Sequence, residues 1–134
     1  MHYLTRRFAF SASHCLVSPA LNSGEAEQCY GICRNLHGHN YRLEVTVRGE
    51  PDPRTGFFGN VMDLKALVDD RIVDQVEHQN LNESPVFAGV ITTMEGIASR
   101  IWELLEGELT KQGMALYEVL VAETDDNVVR LRKE

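Results

Sequence analysis

From His39 to Gly49 the chain alternates Tyr41, Leu43, Val45 and Val47 with Arg42, Glu44, Thr46 and Arg48. Side chains of a strand change face at every residue, so this period predicts a strand with one buried face. Residues 3–14 carry the same signal: Phe8, Phe10 and Ala12 share a face, and His14 follows in the same parity. Residues 15–36 are rich in Ser, Asn, Gly and Cys, show no period, and read as a long loop, a length that favours a functional role. The turn GEPDPRTG ends the second strand. Asp63 is placed to cap a helix whose stripe is Leu64, Leu67, Val68, Ile72 and Val76. A second helix is expected from about Thr93 to Thr110, with Ile97, Ile101, Trp102, Leu104, Leu105 and Leu109 inward and Thr92 with Glu95 as a capping box. ALYEVLVAE, the turn TDDN and VVRLRK then read as a closing hairpin. Strand, strand, helix, helix, strand, strand predicts one α+β domain over residues 1–134, an antiparallel four-stranded sheet with two helices on one face. Its free sheet edges must be covered or paired, and pairing with further copies, as a homo-oligomer, is one solution.

Composition narrows the partners. Apolar residues are 43% and charged residues 25%, as in a globular protein. The start MHYLTRRF has no apolar core, and no apolar run is long enough to cross a bilayer, so no membrane partner and a cytoplasmic location are expected. With 20 acidic against 13 basic residues the net charge is −7, and Lys/Arg cluster only in the terminal RLRKE, which argues against nucleic acid. Three cysteines, an odd number, read as free thiols or ligands.

Candidate chemistry concentrates at CRNLHGHNY. If the strand begins at or just before His37, then His37 and His39 point to one side about 6.6 Å apart. His14 ends the apolar face of another strand, and pairing the two strands could bring three imidazoles to one ion, the form of a catalytic zinc site. Strand-end histidines satisfied by backbone carbonyls are the plain alternative. A closed site of Cys29, Cys33, His37 and His39 is a rival, weakened by histidines closer together than such sites use. Cys33 is either a small buried hydrophobe or an activated thiol. Glu77 and His78 follow the first helix, where a charged end suits the dipole as well as chemistry would. Glu123 continues the face of Tyr117, Val119 and Val121, and a carboxylate there wants donors from a ligand or an arginine.

FSASH, CRNLHGHNY, MDLKALV, EHQNLN, TTMEGIA and AETDDNVV stand in the order and spacing of one family. Through them the chain resembles the 6-pyruvoyl- and 6-carboxy-tetrahydropterin synthases over nearly its whole length. The resemblance implies a tunnelling fold, in which subunits join sheets edge to edge into a barrel, as trimers or stacked into a hexamer. It implies zinc on His14, His37 and His39, and 7,8-dihydroneopterin triphosphate as substrate, its pterin ring held by Glu123 with Thr93 and Glu95 near the pocket. It also implies proton transfer by the Cys33 thiol and by Glu77 and His78 of a neighbouring subunit. Zinc on the substrate's side-chain hydroxyls would acidify the adjacent C–H, and triphosphate would leave by elimination. The family usually has Asp where this chain has Glu77, one methylene longer.

Two features of the resemblance divide over the product. Cys33 lies three intervening residues before His37, like the 6-carboxy enzymes, which release acetaldehyde as well as triphosphate. ETDDNVV is more similar to the 6-pyruvoyl enzymes. The cysteine touches the substrate side chain where the reactions diverge, so the expected product is 6-carboxytetrahydropterin, with 6-pyruvoyl-tetrahydropterin the alternative. A pterin-binding protein without catalysis, or a zinc-structured interaction domain, is the reading from another class.

Overall fold

A computed structural model describes residues 1–134. The two alternating segments form long strands, β1 (His2–His14) and β2 (His37–Gly49), paired antiparallel without interruption from His2↔Gly49 to His14↔His37. That register puts Phe8, Phe10, Ala12 and His14 on the face of Tyr41, Leu43 and Val45, which is buried. β4 (Ala115–Thr124) adds to β2, and β5 (Asn127–Arg132) closes the hairpin.

Four helices join them. α1 spans Ser23–Tyr30, α2 Val61–Val68, α3 Asp74–Val76 and α4 Met94–Lys111, and a π turn, Asp69–Val73, links α2 to α3. Leu64, Leu67, Val68, Ile72 and Val76 are buried, as the stripe requires. With Ile97, Ile101, Leu105 and Leu109 of α4 they cover one face of the sheet, while Trp102 and Leu104 lie at the margin of that core. The opposite face carries Arg7, Arg42, Glu44, Glu118, Arg130 and Arg132, which meet in ion pairs, and no helix covers it.

Several expectations are corrected. The sheet has five strands, because β3 (Gln79–Asn80) runs parallel to β1 at Ala12 and Ser13, giving the order β3-β1-β2-β4-β5. Residues 15–36 are not all loop: Asn22 and Glu25 form a capping box that starts α1, and a 3-10 turn, Gly31–Arg34, follows. α1 buries no residue, so it leaves no apolar period to read. Asn60 caps α2 in place of Asp63, its Oδ1 accepting from the Met62 N–H. Thr93 caps α4 by accepting from the Gly96 N–H, so the expected Thr92–Glu95 box does not form, and Thr92 is buried for another purpose.

Candidate metal centre and active site

The end of the β1–β2 ladder builds the site. His14 and His37 are direct cross-strand partners and His39 is one step along, so one pleated face holds all three rings. Their centroids form a near-equilateral triangle with sides of 4.6, 4.9 and 5.1 Å. One nitrogen from each lies within 4.8 Å of the others. A tetrahedral zinc with bonds of about 2.0–2.1 Å would set its ligands about 3.4 Å apart, so the rings would draw in around a bound ion.

Hydrogen bonds fix which nitrogen is free. His14 Nδ1 lies 2.8 Å from the Thr92 carbonyl and His37 Nδ1 2.7 Å from that of Asn35. A carbonyl only accepts, so both Nδ1 atoms carry the proton and both Nε2 lone pairs stay open, the arrangement that orients metal-bound imidazoles. The Nε2 atoms of His14 and His39 are buried without a hydrogen-bond partner. Burial lowers the His14 pKa to about 4; the Thr92 carbonyl opposes the shift, and repulsion from His37 and His39 adds to it. Burial also lowers that of His39, with Glu123 opposing and His37 adding. The orphaned Nε2 atoms of His14 and His39, converging with a ring nitrogen of His37, suit a divalent cation, so His14, His37 and His39 fit zinc.

Glu123 faces the same point. β4 and β5 pair Ala122 with Val128 but Thr124 with Asn127, so Glu123 is the extra residue of a β-bulge, a device that re-aims a side chain. Its carboxylate oxygens lie 3.8 Å from His14 Nε2 and from His39 Nε2. Tyr41, which sequence reasoning did not single out, lies beneath the cluster, its ring 5.4 Å from that of His39 and stacked on Phe10. Burial, and then Glu123, pushes its phenol pKa up.

The 3-10 turn carries Cys33, whose carbonyl accepts from the Leu16 N–H at 2.8 Å, tying the turn to the end of β1. Cys33 and His37 line one small pocket with Ile32, Asn35 and Leu36. Cys29 is exposed on α1 and is not among the converging ligand atoms, so the rival Cys–His site does not assemble. Thr93 and Glu95 open α4 next to Thr92, whose carbonyl holds His14; Thr93 is half-buried and Glu95 exposed.

Glu77 and His78 form a pair, Oε1 to Nε2 3.1 Å, but neither joins the histidine cluster. Glu77 Oε1 accepts from the Ser11 N–H and the His78 N–H donates to the Ser11 carbonyl, which pins both to the outer edge of β1. His78 is exposed and has φ 59°, the left-handed region that costs a non-glycine residue energy and recurs at functional sites. Its ring faces a groove of about 430 Å³ lined by Ser11, Ser13, Asn40 and the rim of His39.

The family model of 6-pyruvoyl tetrahydropterin synthase matches residues 3–134. The chain belongs to that family. It is 42% identical to the 6-pyruvoyl tetrahydrobiopterin synthase of Homo sapiens over 98% of this chain and 91% of that protein. A protein of Archaeoglobus fulgidus with the provisional name 6-carboxy-5,6,7,8-tetrahydropterin synthase is 33% identical over 87% of this chain and 93% of its own. The solved structure of Caenorhabditis elegans 6-pyruvoyl tetrahydropterin synthase superposes with a TM-score of 0.89 at 32% identity, covering 99% of this chain and 96% of that one. The tunnelling fold expected from the motifs is therefore this chain's fold, with one more strand than anticipated. This synthase family also supports a pterin-directed lyase.

Proposed function

We propose that the chain is a zinc-dependent 6-pyruvoyl tetrahydropterin synthase that converts 7,8-dihydroneopterin triphosphate with loss of triphosphate. The observation that carries the reading is the convergence of His14, His37 and His39, with open Nε2 lone pairs, on a point that Glu123 also faces. Zinc held there would act as a Lewis acid toward the hydroxyl oxygens of the substrate side chain. Cys33, in the pocket beside His37, is the base that takes a proton from the side-chain carbon. Glu123 accepts two hydrogen bonds from the pterin ring, and Thr93 and Glu95 border it. Glu77 orients His78, and this pair returns a proton at another carbon in the site of a neighbouring subunit. The enzyme works in the cytoplasm as a trimer or hexamer.

The comparisons favour the 6-pyruvoyl product, the alternative above, over the 6-carboxy compound. Likeness to a 6-pyruvoyl enzyme runs at 42% over nearly the whole chain, against 33% for the archaeal relative, whereas the 6-carboxy expectation rests on one loop spacing. The structure explains why that spacing is a weak guide. A 3-10 turn tied to Leu16 already brings Cys33 to His37, so the number of intervening residues does not by itself decide where the thiol lies.

Incubation of the zinc-loaded protein with dihydroneopterin triphosphate and mass analysis of the products tests the reading. We expect 6-pyruvoyl-tetrahydropterin and triphosphate. Acetaldehyde with 6-carboxytetrahydropterin would restore the second reading, favoured by the Cys33–His37 spacing, and tight pterin binding without turnover would mean that catalysis is lost.

A further inference from the structure

The strap from Glu77 to Asn82 runs along the free edge of β1 and satisfies its backbone in an unusual way. Gln79 and Asn80 pair with Ala12 and Ser13 as a parallel strand only two residues long. The chain then leaves the sheet, because Leu81 is buried and a 3-10 turn, Leu81–Glu83, begins. Backbone pairing cannot reach Cys15, the residue after His14. A side chain takes over: Asn82 Oδ1 accepts from the Cys15 N–H at 2.8 Å, and Asn82 Nδ2 donates to the Cys15 carbonyl at 2.9 Å. One amide thus does what a further strand residue would do, and the two contacts fix which end of the amide points where. Asn80 holds Asn82 in turn, its Oδ1 accepting from the Asn82 N–H at 3.0 Å.

His14 stands between this clamp and the rest of the strand. It is the last residue of β1, and at a strand end the backbone frays unless something ties it down. From the far side, Thr92 fixes the His14 ring through its carbonyl, and its hydroxyl reaches the same Cys15 carbonyl at 3.4 Å. A fixed ring nitrogen is of use only if the backbone carrying the ring is also fixed.

We propose that Asn82 is a positioning residue for the metal centre: its side-chain amide completes the edge pairing of β1 at Cys15 and so holds His14 Nε2 at the meeting point with His37 and His39. This rests on the zinc site proposed above but concerns a residue that is not among the converging ligand atoms. Because the same strap carries Glu77 and His78, a single short segment supports both the metal ligand of this chain and the proton-relay pair.

Two measurements on the full-length protein test it. In metal-free protein, amide exchange at Cys15 should accelerate at least about tenfold in Asn82→Ala, since its N–H loses its only acceptor. Zinc affinity, measured against a chromophoric chelator, should fall about tenfold, the lower end of the effect for residues that orient a metal ligand. Asn82→Asp keeps an acceptor for the Cys15 N–H but sets an oxygen against the Cys15 carbonyl. It should lose about threefold in zinc affinity, and it serves as the measured variant if Asn82→Ala does not fold. Asn60→Ala, which removes the α2 cap at the Gly49 end of the sheet, is the control for general loosening and should bind zinc like the wild type. Zinc affinity within twofold of wild type in both Asn82 variants, or an equal loss in Asn60→Ala, overturns the proposal. Unchanged exchange at Cys15 overturns it independently of any metal. A wild type that binds no zinc would instead sink the metal reading itself, leaving the exchange result to decide the clamp.

Discussion

His14 combines near-complete burial with two imidazole neighbours, and both features penalise its charge. In the unfolded chain it titrates near its ordinary 6.5, in the folded metal-free protein near 4. Between those values the unfolded state binds the extra proton, so this contribution to stability is present above pH 6.5 and is lost as pH falls through about 4. The loss amounts to at most about 3 kcal/mol. Denaturant unfolding of chelator-treated protein at pH 7 and pH 4.5 measures it, with His14→Phe as the comparison expected to vary less. Parallel pH profiles would show that His14 is not held neutral by burial. The two loop cysteines separate as sharply. Cys33 shares a pocket with His37 while Cys29 is exposed on α1. On the function proposed above, Cys33→Ala should bind zinc like the wild type yet turn over at least ~100-fold more slowly, the scale of a lost acid or base. Cys29→Ala should be nearly silent, and steady-state kinetics with metal analysis on both variants tests the pair.

In α4, the same substitution should have opposite signs at two positions. A Cβ on Gly96 would lie 2.0 Å from the Ile91 carbonyl oxygen and 3.1 Å from Val90 Cγ1. That carbonyl cannot withdraw without dragging Thr92, whose own carbonyl holds His14, so Gly96→Ala should cost about 2–3 kcal/mol. Gly107, exposed on the same helix, meets nothing within 4 Å, and Gly107→Ala should stabilise by about 0.5–1 kcal/mol through helix propensity. Denaturant midpoints moving the same way for both would contradict the packing at the α4 start. Elements were legible where burial imposed a period, as in β1, β2, α4 and the α2 stripe. α1 was not, since it buries nothing, and neither was β3, which is two residues long and completed by side chains. In the site, the strand parity of His14, His37 and His39 could be read directly, as could that of Glu123 with Val119 and Val121, but not with Tyr117, which a bulge opposite Val47 turns to the other face against Tyr3 and Arg48. The parts that fix them could not. Thr92 and Asn35 act through backbone carbonyls, which any residue supplies, and Asn82 pairs with a residue far away in sequence.

The whole molecule is an open sheet with one face uncovered and two edges unfinished. β5 has no outer neighbour, and β3 covers β1 only at Ala12 and Ser13. Unpaired edges of this length invite pairing, and a tunnelling fold closes them by joining copies into a barrel. The position of Glu77 and His78 fits this arrangement. They are pinned at the outer edge of β1 beside Ser11 and outside the histidine cluster, where a neighbouring copy that pairs with the edge would meet them. Ser11 turns both its N–H and its carbonyl toward β3, so by the two-residue period the Ala9 N–H points the same way, into the free part of the edge. A proline at position 9 removes that donor while leaving the β1–β2 ladder on the other side intact, the setting in which edge strands tolerate proline. Ala9→Pro should therefore sediment as a smaller species than the wild type. It should still bind zinc, because His14, His37 and His39 come from one chain. On the function proposed above, turnover should fall with the assembly, because each site would lose the Glu77–His78 pair proposed to come from its neighbour. Sedimentation velocity, metal content and product formation on the one variant test the three statements together. A dissociated protein with full activity would mean that each subunit uses its own pair.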